Sequence, residues 1–197
     1  MATYAEDIIA QLDGEHVERA VFCGVSMGGY ISFELVRRFA DRIAALVLCN
    51  TKSPADSVEA KRGRDALAVK ARREGARAVA VEMVPKLLSR ATREQRPDVA
   101  REVTEMIARQ PVDGIVGALR ALRDRPDSTA ALAAIRVPTL VVAGDDDAIA
   151  PADGMKEMAG KNAGAKFVRV REAGHLTPLE QPQAFNAALR SFLDQLG

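Results

Sequence analysis

Two histidines and two cysteines in 197 residues leave little material for several kinds of chemistry. No Cys/His cluster has metal-ligand spacing and no glycine-rich phosphate loop occurs, so neither a metal nor a cofactor is expected. Charge of one sign is lacking as well. With 28 Lys+Arg against 27 Asp+Glu, the net charge of +1 gives no electrostatic reason to expect nucleic acid or a membrane surface as a partner. No apolar run approaches transmembrane length, and Glu6 and Asp7 break the basic-then-apolar layout of a signal peptide. Cys23 and Cys49 each fall on a predicted strand and are expected as buried free thiols, with nothing to point to an oxidising compartment. Internal repeats and low-complexity segments are missing. What remains is a cytoplasmic globule whose 48% apolar content supports one sizeable core.

The informative segment is Gly24-Val25-Ser26-Met27-Gly28. Before it, Ala20-Val21-Phe22-Cys23 suits a buried strand; after it, Ile31, Leu35 and Phe39 recur at i, i+4, i+8 along a helix from Gly29 to Phe39. A Gly-x-Ser-x-Gly between strand and helix is a nucleophile elbow, a turn that strains the serine backbone. Both flanking glycines are expected where a Cβ would collide with the neighbouring strand and helix. The turn presents Ser26 Oγ at a helix N-terminus, where backbone N–H groups, that of Met27 first, receive developing negative charge.

A nucleophilic serine needs a base. His16, in Asp13-Gly14-Glu15-His16, reads as an exposed loop residue. His175 follows the apolar run Phe167-Val168-Arg169-Val170 on a glycine-containing loop, placed to reach a serine at the same sheet edge. The acid that orients the imidazole should come from the end of another strand. Val137 to Ala143 is β-branched, and Gly144-Asp145-Asp146-Asp147 follows it, so chemistry alone leaves three aspartates open. The order Ser, Asp, His, each after its own strand, is one of three unrelated orders known for this kind of triad.

With these residues the chain resembles the α/β-hydrolase superfamily, specifically its small esterase and 3-oxoadipate enol-lactonase-like members. The likeness is carried by Gly24 to Tyr30, Val137 to Gly144, Asp147 to Pro151 and Ala173 to Pro182. In the family the acid stands three residues after the strand-ending glycine and four before a proline, which selects Asp147 over Asp145 and Asp146. The resemblance implies a catalytic set of Ser26, Asp147 and His175 with Met27 in the oxyanion hole. Family members also carry strands before the elbow and a His-Gly loop that supplies a second oxyanion donor. Here a helix-like stretch, Thr3 to Leu12, precedes the elbow strand, and no His-Gly pair does. The expectation is therefore an N-terminally shortened α/β-hydrolase.

Strands are predicted near Arg19 to Cys23, Ala44 to Cys49, Val137 to Ala143 and Phe167 to Val170. Near-continuous apolar runs with helices between them predict a parallel sheet. The predicted fold class is α/β, a partial α/β-hydrolase fold of about four parallel strands flanked by helices, with residues 1–50 and 135–197 as the core and 51–134 as an all-helical cap. The clearest cap helices are Pro97 to Gln110, with Val99, Val103, Met106 and Ile107 on one face, and Pro111 to Arg123. Between Lys52 and Ala134, 17 basic residues face 12 acidic ones. That excess either attracts an anionic substrate or lies on solvated, paired faces.

The function expected is a serine hydrolase acting on a small carboxylic ester or lactone through an acyl-enzyme. The alternatives are a weakly active or non-catalytic module that binds a small ligand or partner chain, and a thioesterase, perhydrolase or carbon–carbon hydrolase with the same triad. Without strands beyond it, Val21-Phe22-Cys23 is expected to form a sheet edge that is open or covered by a partner chain, through which the isolated chain binds hydrophobic dye, aggregates or self-associates.

Overall fold

A computed structural model describes residues 1–196 of the chain. Helix α1 (Ala2–Gly14) leads into strand β1 (Ala20–Val25), helix α2 (Met27–Arg38) and strand β2 (Ile43–Cys49). Helices then follow without an intervening strand: α3 (Val58–Glu74), α4 (Ala76–Leu87), α5 (Arg90–Gln95), α6 (Pro97–Ala108) and α7 (Val112–Arg123). The chain returns through β3 (Thr139–Gly144), α8 (Ala152–Gly160), β4 (Ala165–Val170), α9 (Thr177–Glu180) and α10 (Pro182–Leu193). Among the described residues the strands form one parallel sheet in the order β1-β2-β3-β4. This is the four-stranded, helix-flanked arrangement expected from the sequence. Among the described residues no helix is long and apolar enough to cross a membrane.

The two central strands explain why the sheet holds. β3 is buried along its whole length and β2 nearly so, as their continuous apolar sequences require. Alternate side chains divide between two layers. Leu46, Leu48, Val141 and Ala143 pack with Ala5 and Ile9 of α1, Phe33 and Leu35 of α2, and Met155 of α8. Ala45, Val47, Leu140 and Val142 pack with Phe185 and Phe192 of α10. Each fully buried Val or Leu contributes about 1.5–3 kcal/mol of transfer free energy.

The edge strand β1 departs from the expectation for Cys23. Register places Val21 beside Ala45 and Cys23 beside Val47, on the sheet face that α10 covers. But α10 packs over β3 and β4, whereas α2 lies against the other face of β1. Cys23 is consequently exposed rather than buried, and Val21 is 38% exposed, while Cys49 on β2 is buried as predicted.

The helical stretch between β2 and β3 pairs α3 with α7 and α4 with α6. Leu67 and Ala71 of α3 meet Val79 of α4 and Val116 and Leu119 of α7. A second cluster, Val84, Leu88, Val99 and Val103, touches Leu176 and Leu179 from the end of the chain. Helix α6 ends two residues before the predicted Gln110, and Pro111 caps α7 from outside rather than starting it. Met106 is exposed and does not share the buried face of Val99 and Val103.

Candidate active site

Ser26 sits between the end of β1 and the start of α2 with φ 51° and ψ −107°, a backbone that a non-glycine residue adopts at a cost of about 1–3 kcal/mol. Neighbouring groups hold it there. Its N–H donates to Cys49 O at 2.8 Å, and its carbonyl accepts from Gly29 N–H at 3.0 Å and Thr51 Oγ1 at 2.9 Å. A Cβ on Gly24 would lie 2.5 Å from Gly28 O, so the strand must be bare where the helix turns back over it. Gly28 has no such constraint, since a Cβ there meets nothing within 4 Å. The second crowded position is Gly29, whose Cβ would lie 2.5 Å from Thr51 side-chain atoms.

The three predicted side chains converge at the C-terminal ends of the strands. His175 Nε2 lies 2.7 Å from Ser26 Oγ, and His175 Nδ1 lies 2.9 and 3.0 Å from the two oxygens of Asp147. An acceptor on the Nδ1 side fixes the tautomer: Nδ1 donates to Asp147, leaving Nε2 to accept the Ser26 hydroxyl proton. Asp145 and Asp146 do not reach the ring; their N–H groups bond Val170 O and Ala173 O in the turn, and the Asp145 carboxylate pairs with Arg169. His16 is exposed near the end of α1, away from this cluster. Met27 is the first residue of α2, so its N–H has no partner within the helix.

Asp147 is buried and heavily bonded. Besides His175 it accepts Ile149 N–H at 2.8 Å, Ala150 N–H at 2.9 Å and Asn50 Nδ2 at 2.9 Å. Burial pushes its pKa up, but the bonds and charge of His175, together with Ala150 N–H and the Asn50 amide, outweigh this and hold the carboxyl below its usual range. Asn50 was not anticipated from the sequence. It follows β2 in a left-handed conformation, φ 47°, and its amide also donates to Gly174 O at 3.1 Å, so it ties the acid loop to the base loop. A lone asparagine after a strand carries no signal of that role, because its partners lie 97 and 124 residues away.

Ser26 and His175 open into a cavity of about 350 Å³. Its other wall comes from the helical stretch, through Leu67, Val79, Met83, Leu87, Ile115 and Leu119 among others. Arg64 is the one Lys or Arg side chain lining it among the described residues. Arg64 is held through Nε, 3.2 Å from Asp56 Oδ2, which leaves its terminal nitrogens free of that contact. Asp56 is buried between Arg64 and Arg125, whose Nη1 lies 2.8 Å from Oδ1, and Arg125 in turn stacks 4.2 Å over the ring of Tyr30, another cavity residue. Removing one member of a buried pair such as Asp56–Arg125 costs about 3–5 kcal/mol.

Five other basic residues of the helical stretch are paired at its surface. Lys70 and Lys86 meet Glu82, Arg77 meets Glu105, Arg90 meets Glu94, and Arg123 meets Asp65 and Asp124. Such pairs contribute little field over a cavity. Arg64 is the cation at the cavity itself. Among the described residues no group of three or more His, Cys, Asp or Glu is placed to hold a metal ion.

The model of the alpha/beta hydrolase family matches residues 1–188. The chain is similar to 3-oxoadipate enol-lactonase 2 of Acinetobacter baylyi, 29% identical over 188 residues that cover 95% of this chain and 68% of that protein. A thermophilic esterase from Thermogutta terrifontis, solved with malate bound, superposes with a TM-score of 0.96 at 38% identity, covering 99% of this chain and 72% of that one. The enol-lactonase from Burkholderia xenovorans LB400 gives a TM-score of 0.88 at 32% identity, over 96% of this chain and 71% of that one.

Proposed function

The chain belongs to the alpha/beta hydrolase family and is a carboxylic ester hydrolase-like enzyme, and from that premise we propose that Ser26, His175 and Asp147 hydrolyse a small ester or lactone bearing a carboxylate. The observation that carries the reading is the hydrogen-bonded chain from Ser26 Oγ through His175 to Asp147 at one end of an apolar cavity with a single arginine.

Ser26 Oγ attacks the carbonyl carbon while His175 Nε2 takes its proton, and Asp147 keeps Nδ1 protonated and stabilises the imidazolium. The carbonyl oxygen gathers negative charge, which the Met27 N–H at the start of α2 receives. Collapse of the tetrahedral intermediate expels the alkoxide, protonated from Nε2, and leaves an acyl group on Ser26. His175 then takes a proton from water, the hydroxide attacks the acyl carbon, and Ser26 regains its proton as the acid leaves. Each such oxyanion donor is worth about a hundred- to a thousandfold in rate.

The cavity sorts substrates by size and charge. Helices α3, α4, α6 and α7 act as a cap whose apolar wall takes the hydrocarbon part, and Arg64 takes the carboxylate. The malate held by the similar esterase and the lactone named for the similar lactonases support a small, carboxylate-bearing substrate. The test is hydrolysis of monomethyl glutarate against methyl valerate, followed by pH-stat. The reading expects a kcat/KM about tenfold or more in favour of the carboxylate, as a charge-assisted bond allows. It also expects both activities to vanish in Ser26→Ala. Equal rates would remove the carboxylate, and an active Ser26→Ala would remove the nucleophile.

A further inference from the structure

Glu180 is buried, 1% exposed, yet no step of the hydrolysis uses it. It ends α9, five residues after His175, and four donors converge on its carboxylate. Oε1 accepts Gly174 N–H at 2.8 Å and Leu176 N–H at 3.2 Å; Oε2 accepts Ser89 N–H at 2.7 Å and the Thr92 hydroxyl at 2.8 Å. Donors alone surround it, which suits a carboxylate acting only as acceptor. The first two are the amides on either side of His175. The other two belong to the start of α5, in the helical stretch between β2 and β3.

Two further contacts fasten the same surfaces together. His175 N–H donates to Leu87 O at 2.9 Å, and Leu87 is itself a cavity residue. A Cβ on Gly174 would lie 2.5 Å from Ser89 N and 2.9 Å from Leu88 C, so the two backbones pass too closely for any side chain there. The loop that carries the base is thus gripped on its own side by Glu180 and on the other by the Leu87–Thr92 segment.

We propose that Glu180 is a positioning residue for His175, its carboxylate fixing both flanking amides and anchoring them to the start of α5, so that Nε2 stays opposite Ser26 Oγ. The proposal rests on His175 being the base. Glu180 does not line the cavity. Its effect is on where the imidazole sits, and misplacement of a reacting group by about 1 Å costs on the order of a hundredfold. A residue that merely stabilised the fold would change how many chains are competent and leave the rate of each competent chain alone.

The full chain carrying Glu180→Gln, Thr92→Val or Ser26→Ala separates these roles through labelling by a fluorophosphonate, read by intact mass as extent and as rate. In Glu180→Gln one of the two acceptor oxygens becomes an N–H₂ facing donors, so one donor pair loses its acceptor and the bridge between the loop and α5 is broken. The labelling rate and kcat for ester are expected to fall about ten- to a hundredfold, with labelling still complete and KM within about twofold. Thr92→Val, which loses its bond to Oε2 and the bond it accepts from the Ser89 hydroxyl, is expected to fall several-fold in the same pattern. Full-rate labelling of a reduced fraction in Glu180→Gln would overturn the proposal in favour of a structural role. Should that variant fail to fold, a Thr92→Val protein that labels completely at the wild-type rate would overturn it equally. Labelling or turnover that survives in Ser26→Ala would instead bring down the nucleophile reading on which it rests, a distinguishable failure.

Discussion

The cavity has two walls made of opposite materials. One is the set of strand ends after β1, β2, β3 and β4, where Ser26, Asn50, Asp147 and His175 are joined by hydrogen bonds of 2.7 to 3.0 Å. The other is the face of α3, α4, α6 and α7, apolar but for Arg64 and Gln110. Polar bonds of short reach tolerate little displacement, whereas apolar contacts tolerate many shapes of similar volume. On the proposed reading the first wall carries the chemistry and the second the choice of substrate, so each wall should respond to mutation in its own way.

The largest effect belongs to the strand-end wall. Asp147→Asn should lower kcat about ten-thousandfold, since an asparagine permits the wrong imidazole tautomer. It carries a stability signature too. The folded-state pKa of Asp147 lies below its unfolded value, so its contribution is present above the unfolded pKa and is lost as pH falls through the folded one. Urea denaturation should therefore show the wild type losing stability relative to Asp147→Asn as the pH falls below the unfolded-state pKa of about 3.9. A gap independent of pH would mean that the carboxylate is not held ionised by its partners.

An intermediate effect is expected where a single charge enters the apolar wall. Arg64→Met keeps the bulk and removes the cation, so KM for monomethyl glutarate should rise about tenfold or more while methyl valerate is hydrolysed as before. A parallel loss for both esters would mean that Arg64 supports the fold through Asp56 instead of the substrate.

The smallest effect should come from the hydrocarbon part of that wall. Met83→Ala is expected to change kcat for methyl valerate by less than a few fold and to move the preference toward longer acyl chains, measured over the methyl esters from butyrate to octanoate. A collapse of activity comparable to that of Asp147→Asn would erase the distinction between the walls.

The same contrast governs what could be read from the chain. The elbow was legible because β1, the bare Gly24 and the amphipathic start of α2 are contiguous, and the strands because β2 and β3 are apolar without interruption. Asp147 required the family spacing, since three aspartates share the turn and only long-range contacts with Asn50 and His175 distinguish one. Helices α3 and α4 were not picked out individually. Of the 17 residues in α3 only Leu67 and Ala71 are buried, and α4 carries Pro85 within it, so neither offers a broad, regular apolar stripe. Exposure of Cys23 depends on where α10 lands on the sheet, a tertiary fact with no local pattern. Arg64 shared the same obscurity among the basic residues of its helix until the cavity singled it out.

The central claim, that Ser26 becomes acylated through His175, is most directly tested by rapid-quench reaction with p-nitrophenyl acetate followed by peptide mass mapping. The account predicts a burst of one p-nitrophenolate per chain, with an acetyl group on the peptide that contains Ser26 and no burst in His175→Ala. Steady hydrolysis with no burst and no acetyl on Ser26, or an acetyl on another residue, would contradict it.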